Sequence, residues 1–119
     1  MPERIEKPWG YEWIWARTNR YLGKVIHVRA GSRLSLQYHE RKDETLLVRS
    51  GTLILEVEEE GKMVSRRLGP GDTYRVRPRQ KHRPSAETDV EIWEVSSPEA
   101  DDVVRLEDDF GRAAPSGSG

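Results

Sequence analysis

Polar and apolar residues alternate along much of the chain, and the first example is a row of aromatic residues near the N-terminus. Trp9, Tyr11, Trp13 and Trp15 occupy successive odd positions. Because consecutive side chains of an extended strand point to opposite faces, all four rings are expected on one face of a strand. Such a row is typical of a core or a subunit interface, with a ligand pocket as the alternative.

Short segments with strand character continue from this row to residue 96, separated by turn residues. Ser50-Gly51 predicts a tight reversal, and Gly69-Pro70-Gly71-Asp72 predicts a turn because it combines the fixed φ of proline with two glycines. The further strand segments are residues 21–29, 33–39, 44–49, 52–58, 63–68, 73–77 and 90–96. About nine short strands with so little helix predict an all-β sandwich or small barrel.

One short helix is predicted near the C-terminus. Ser97 has the character of an N-cap, Pro98 suits the first helical position, and Glu99 places an acid in the first turn, so residues 100–106 are expected to be helical. After Gly111 the composition changes to small and polar residues. We therefore expect a single domain at residues 1–112 and a disordered tail at residues 113–119.

The composition of the chain excludes several classes of function. The 119 residues are 34% hydrophobic and 34% charged with a net charge of -1, which predicts one small domain without an overall field for nucleic acid or anionic membrane. The absence of cysteine excludes disulfides, a thiolate zinc site and a cysteine nucleophile. Since no apolar run approaches the roughly 20 residues of a membrane span and no signal-peptide core precedes the strands, a cytoplasmic protein is expected.

A basic run before and after residue 80 is the one feature that favours nucleic-acid binding. No pattern of stacking aromatic residues accompanies it, so a solvated face, or one paired with the acidic segment 99–109, is predicted instead. The run consists of Arg75, Arg77, Arg79, Lys81 and Arg83 at alternate positions, with His82 expected to point inward.

Residues 33–39 carry the candidate chemistry. In an extended conformation one face of this segment is apolar, and the other consists of Arg33, Ser35, Gln37 and His39. Glu44 begins the next predicted strand, where it can turn back toward the same face. An imidazole, a carboxylate and an amide oxygen can then supply three ligands to a divalent metal, and His82 is the candidate for a fourth.

The spacing of these residues resembles the two sequence motifs of the cupin family. It is most similar to the small cupin relatives of type II mannose-6-phosphate isomerases, in which the entry Pro8-Trp9-Gly10 and the phrase Leu34-Ser35-Leu36-Gln37 are typical. The resemblance covers about residues 7–95. It departs from the second motif, because Arg77, Arg79 and Ala86 stand where proline, glycine and asparagine are usual. The motif residues are Gly31, Gln37, His39, Glu44 and Gly51, followed by Gly71 and His82.

The resemblance implies an all-β cupin, a double-stranded β-helix with an N-terminal strand extension and a short C-terminal helix. Metal-ligand positions of the family fall on Gln37, His39, Glu44 and His82, which suit one divalent ion of Zn, Mn, Fe, Co or Ni. Small cupins are commonly homodimers, and the aromatic row is the candidate contact. Arg33, on the same predicted face as His39, is a candidate to bind a substrate phosphate or carboxylate, and pairing with a nearby acid is the alternative.

Three functions follow from this resemblance. The first is a metal-dependent isomerase acting on a small-molecule sugar phosphate, as mannose-6-phosphate isomerases do, with Lys24 or Glu94 as conceivable bases and the base otherwise unknown. The second is a cupin dioxygenase, since two histidines and a carboxylate suit Fe(II). The third is a non-catalytic protein that binds a sugar or small acid.

Overall fold

The computed structural model describes residues 3–113, and within that range every regular element is a β-strand. The alternation of apolar and polar residues explains this, because β-branched and aromatic side chains suit a pleated surface with one buried face. The strands are β1 (Glu3–Lys7), β2 (Gly10–Arg17), β3 (Leu22–Val28), β4 (Leu36–Tyr38), β5 (Glu44–Ser50), β6 (Leu53–Glu59), β7 (Lys62–Leu68), β8 (Thr73–Val76), β9 (His82–Ala86), β10 (Val90–Ser96) and β11 (Val104–Glu107).

Two antiparallel sheets enclose one core. The larger sheet has the order β1-β2-β3-β10-β5-β8, and the smaller has the order β11-β4-β9-β6-β7. Val28 and Val48 from the larger sheet meet Leu53 and Ala86 from the smaller one in a single buried cluster. The predicted all-β barrel architecture is therefore confirmed, and β1 supplies the predicted N-terminal strand at the edge of the larger sheet.

The turn between β5 and β6 depends on glycine. Gly51 has φ of 83°, in the left-handed region that side chains with a Cβ rarely adopt. A Cβ at this position would lie 2.0 Å from the carbonyl oxygen of Asp89, so the turn also packs too closely for any side chain. The tight reversal predicted at Ser50-Gly51 is thus present, and it is tied to the segment before β10.

The helix predicted at residues 100–106 is wrong. This segment makes a turn and then forms β11, in which Val104 pairs with Tyr38 and Arg105 pairs with Gln37. Two adjacent β-branched residues, Val103 and Val104, disfavour a helix here, and pairing with β4 supplies backbone hydrogen bonds that a short helix would have to make alone. The C-terminal segment therefore belongs to the smaller sheet.

The aromatic row is divided by the start of β2. Trp9 precedes the strand and is buried in the core, so the prediction that all four rings share one face is wrong. Trp13 and Trp15 lie on β2 with exposed fractions of 41% and 53%, and Trp93 on β10 is 44% exposed. Three tryptophans thus cover the outer face of the larger sheet.

The basic run is not a uniform outward face. Arg83 is buried, and its Nε donates a hydrogen bond to the Leu34 carbonyl oxygen at 3.0 Å. Arg75 pairs with Asp43. Arg83 pairs with Glu107 and Asp109, so the expected pairing with the acidic segment 99–109 is present for this residue. His82 points inward, as predicted.

The part of the chain that the structure describes contains no helix long and apolar enough to cross a membrane. Most of the predicted tail at residues 113–119 lies outside the described residues.

Candidate metal centre

Three strands bring the predicted ligands together between the two sheets. His39 directly follows β4, Glu44 is the first residue of β5, and His82 is the first residue of β9. Gln37 on β4 pairs in register with His82 on β9, whereas Glu44 comes from the opposite sheet. All three of His39, Glu44 and His82 are buried. The short loop of residues 40–43 carries the chain from one sheet to the other.

The geometry around one oxygen of Glu44 is that of a cation site. Glu44 Oε1 lies 3.2 Å from His39 Nε2 and 3.4 Å from His82 Nε2. The ligand atoms of the three residues lie within 4.8 Å of one another, and the two imidazole rings are 5.1 Å apart between centroids. Two imidazoles and a carboxylate in this arrangement are a frequent ligand set for Zn, Fe, Mn and related ions.

Backbone carbonyl groups set the tautomer of both histidines. His39 Nδ1 lies 2.6 Å from the carbonyl oxygen of Asp102, and His82 Nδ1 lies 2.9 Å from that of Gln80. Because a carbonyl oxygen only accepts, each Nδ1 carries a proton and donates it, which directs each Nε2 toward Glu44. Such outer hydrogen bonds are the usual way in which ligating histidines are oriented, so the donor set fits a bound divalent ion.

Gln37 lines the same cavity beside His82. Its Oε1 accepts a hydrogen bond from the Ser35 hydroxyl at 3.1 Å. This oxygen keeps a second lone pair, so the predicted ligation by Gln37 stays a prediction.

The second oxygen of Glu44 begins a buried row of alternating charges. Lys42 Nζ lies 3.4 Å from Glu44 Oε2 and 3.0 Å from Glu94 Oε2. Lys24 Nζ lies 4.0 Å from Glu94 Oε2 and 3.2 Å from Glu12 Oε1. Lys42 was not predicted, because it lies within a run of four charged residues before β5 that shows no pattern of its own.

The pKa values of the two buried glutamates in this row are shifted in opposite directions. Burial opposes ionisation of Glu44, but the imidazoles of His39 and His82 beside it and the charge of Lys42 outweigh this effect and keep its pKa well below the ordinary value. Burial and the negative charge of Glu44 raise the pKa of Glu94 to about 7, against the opposing effect of Lys24 and Lys42. Glu44 is therefore available as an anionic ligand.

A cavity of about 120 Å³ opens beside these groups. Its wall includes His39, Glu44, His82 and Gln37, and it also carries more basic than acidic side chains. The basic lining residues are Lys7, Arg17, Lys24, Lys42, Arg105 and Arg112, and the acidic ones besides Glu44 are Glu12, Glu94 and Asp101.

Among residues 3–113, Arg33 is not one of those that line this cavity. Its Nε and Nη2 bind the carboxylate of Asp109 at 2.7 and 2.9 Å, the alternative that sequence analysis left open. Ser35 and Leu34 are both buried, so the alternation assumed for residues 33–39 fails before β4 begins. Arg105 lines the cavity instead. It was not predicted, because residues 100–106 were expected to form a helix and not a strand of the smaller sheet.

The two antiparallel sheets, with a buried His-Glu-His cluster between them, define the chain as a cupin. Residues 1–108 match the family described as Mannose-6-phosphate isomerase C-terminal, and the chain belongs to that family. The resemblance stated from the sequence is thereby confirmed.

Sequence and structural similarity to two further proteins support this assignment. Mannose-1-phosphate guanylyltransferase ManC of Salmonella typhimurium is 33% identical over 118 residues, which cover 94% of this chain and 24% of ManC. The chain thus spans about a quarter of that relative's length. KdgF from Halomonas sp. has a similar structure, with a TM-score of 0.72 at 27% identity over 83% of this chain and 88% of KdgF.

A more distant structure shares the fold alone. Oxalate decarboxylase of Bacillus subtilis, an enzyme with Mn(II) centres, has a TM-score of 0.75 at 19% identity over 87% of this chain and 30% of its own.

Proposed function

We propose that the chain is a metal-dependent isomerase that interconverts the aldose and ketose forms of a sugar phosphate. The observation that carries this proposal is the His39–Glu44–His82 cluster, whose ligand atoms converge within 4.8 Å at the wall of a cavity lined by basic side chains. Membership of the mannose-6-phosphate isomerase C-terminal family supports the choice of substrate class.

The site residues divide between holding the ion and moving the proton. His39, Glu44 and His82, with Gln37 as the fourth ligand, would hold one divalent ion, which supplies Lewis-acid polarisation of a carbonyl and its adjacent hydroxyl. Glu94 lines the cavity, and we assign to its carboxylate the transfer of a proton between the adjacent carbons. Lys24 Nζ already donates to Glu12, so it is assigned to positioning rather than to proton transfer.

An isomerase assay tests the proposal directly. Mannose 6-phosphate and fructose 6-phosphate are expected to interconvert only after loading with a divalent ion, and His39→Ala is expected to abolish turnover. Glu94→Gln is expected to lower kcat about a hundredfold or more with little change in metal content. Turnover that persists in chelator or in His39→Ala would contradict the proposal.

The ligand set also favours a second candidate. Without Gln37, whose oxygen accepts the Ser35 hydroxyl, the two histidines and one carboxylate match the set that holds Fe(II) with open positions in oxygenases. Oxygen uptake by the Fe(II)-loaded protein with sugar-acid substrates, absent in His39→Ala, would support a dioxygenase over an isomerase.

We further propose that two copies pair through the outer face of the larger sheet. Trp13 on β2 and Trp93 on β10 lie in one row across β3, because each is in register with Val25. Trp15 and Val95, with exposed fractions of 53% and 59%, extend this apolar face. Exposed tryptophans in a contiguous patch are typical of interaction surfaces, and a flat sheet face can be self-complementary.

A further inference from the structure

Arg105 lies in the same row of side chains as two candidate metal ligands. On the smaller sheet Arg105 pairs with Gln37, and Gln37 pairs in turn with His82. Directly paired residues of antiparallel strands project from the same face, so all three side chains lie on the cavity side. Two strand spacings, about 10 Å, separate the backbone of Arg105 from that of His82. The guanidinium is thus within reach of a ligand that also contacts the metal centre.

The guanidinium of Arg105 lacks a partner that comparable arginines have. Its Nε is buried and has no hydrogen-bond acceptor within residues 3–113. Arg33 binds both oxygens of Asp109, and Arg112 binds both oxygens of Asp108. A buried N–H group without an acceptor lowers the free energy of unfolding. Its presence on a cavity wall therefore indicates a donor that binds a ligand.

The surroundings of Arg105 are short of negative charge. The charged groups that face it are Arg112, Asp108 and Glu12. Asp108 is already neutralised by Arg112, and Glu12 is bound by Lys24. Partial burial and the charge of Arg112 accordingly lower the pKa of Arg105, with Asp108 and Glu12 opposing them. An incoming anion would therefore gain from the guanidinium of Arg105, while an uncharged ligand would not.

We propose that Arg105 is the anion-binding residue of the cavity and holds a phosphate monoester at one end of a substrate whose other end reaches the metal centre. The anion site stands on the geometry of β11, whereas the choice of phosphate rests on the proposed function. The site gives Arg105 the substrate-binding role that the sequence suggested for Arg33. A guanidinium without a carboxylate partner favours the double negative charge of a phosphate monoester over the single charge of a carboxylate, because the attraction grows with the charge of the anion.

Binding measurements on the metal-loaded full chain test this assignment. Calorimetric titration with mannose 6-phosphate and with mannose compares the wild type with Arg105→Gln, and Arg33→Gln serves as a matched control. Loss of the charged hydrogen bonds is expected to weaken mannose 6-phosphate binding in Arg105→Gln by about tenfold or more and to leave mannose binding unchanged. Arg33→Gln is expected to bind mannose 6-phosphate within about twofold of wild type, because its partner is Asp109.

Two further measurements separate the role of Arg105 from loss of folding and from metal binding. Arg105→Lys retains the charge without the planar fork, so its affinity is expected to lie between those of wild type and Arg105→Gln, even where Arg105→Gln is destabilised. Chelator-treated protein titrated with inorganic phosphate separates the anion site from the metal. Equal affinities for wild type, Arg105→Gln and Arg105→Lys, or an equal loss in Arg33→Gln, would overturn the assignment. Binding that depends on Arg105 without any turnover would support it and would contradict only the isomerase.

Discussion

At the scale of single residues, the site depends on groups outside the ligand set that hold the ligands in position. Asp102 is the clearest case, because its carboxylate accepts hydrogen bonds from the backbone N–H groups of Glu40, Arg41 and Lys42 at 2.7–3.1 Å. Its own carbonyl oxygen accepts the Nδ1 proton of His39. One residue of the C-terminal segment therefore fixes both the loop between the ligands and the ring of the first histidine.

Removal of the Asp102 carboxylate is expected to loosen this loop. Asp102→Ala leaves three N–H groups without their acceptor, so a loss of about 2 kcal/mol or more in the free energy of unfolding and weaker divalent-metal binding are predicted. Chemical denaturation and metal titration measure the two effects. Glu40→Ala is the matched control, since that side chain lies in the same loop, is exposed and does not line the cavity. Equal stability and metal affinity of the two variants would contradict the role given to Asp102.

Glu94 predicts a pH dependence of stability in the metal-free protein. With its pKa raised from 4.5 to about 7, this buried carboxyl keeps its proton in the folded state while the unfolded chain loses it. The folded state then binds more protons between these values, so the free energy of unfolding falls as pH rises from about 4.5 to about 7, by a few kcal/mol at most.

Glu94→Gln isolates this effect, because glutamine imitates the protonated form at every pH. Unfolding of metal-free wild type and Glu94→Gln in denaturant, compared between pH 5 and pH 8, is expected to show the fall in wild type alone. A stability of wild type that rises over this interval relative to Glu94→Gln would show that Glu94 is ionised in the fold.

At the scale of elements, the structure shows where local sequence and tertiary pairing disagree. Residues 97–106 contain a plausible cap, a proline and an acid in helical order, yet pairing of Val104 with Tyr38 makes the segment a strand. No local pattern reveals that β4 has an open edge for it to occupy. The turn at Gly51 was predictable, because glycine between two apolar runs has a local physical meaning.

The two glycine turns on either side of β6 allow strain and packing to be separated. Gly51 and Gly61 have φ of 83° and 77°, but of these two only Gly51 would bring an added Cβ within 4 Å of other atoms. Gly61→Ala is expected to cost about 1–2 kcal/mol for its left-handed backbone, and Gly51→Ala about 2 kcal/mol more because of the clash with Asp89. Equal melting temperatures of the two variants would contradict this packing of the β5–β6 turn.

At the scale of the whole molecule, spacing predicted the convergence of three candidate ligands better than it predicted the rest of the cavity wall. His39, Glu44 and His82 meet because two motifs lie at the starts or ends of strands that the fold brings together. Arg33 was placed by an alternation that is regular only from Leu36 onward. Arg105 and Lys42 could not be found in this way, since one needs the pairing of β11 and the other the burial of a charged loop.

The proposed dimer is a second property of the whole molecule. Trp93→Glu places a charge in the middle of the exposed tryptophan face and is expected to give a monomer, measured by light scattering during size-exclusion chromatography. Met63→Glu, at a side chain 46% exposed on the other sheet, is the control and is expected to leave the dimer intact. A wild-type monomer, or dissociation by Met63→Glu alone, would contradict pairing through this face.

Metal content tests the central claim most directly. Protein purified without an affinity tag or chelator is measured by mass spectrometry beside the double variant His39→Ala/His82→Ala. A near-stoichiometric divalent ion in wild type that is lost in the double variant is the predicted result, because both imidazoles face the same carboxylate oxygen of Glu44. The contradictory result is no ion in either protein, together with no rise in wild-type melting temperature on adding Zn, Mn, Fe, Co or Ni.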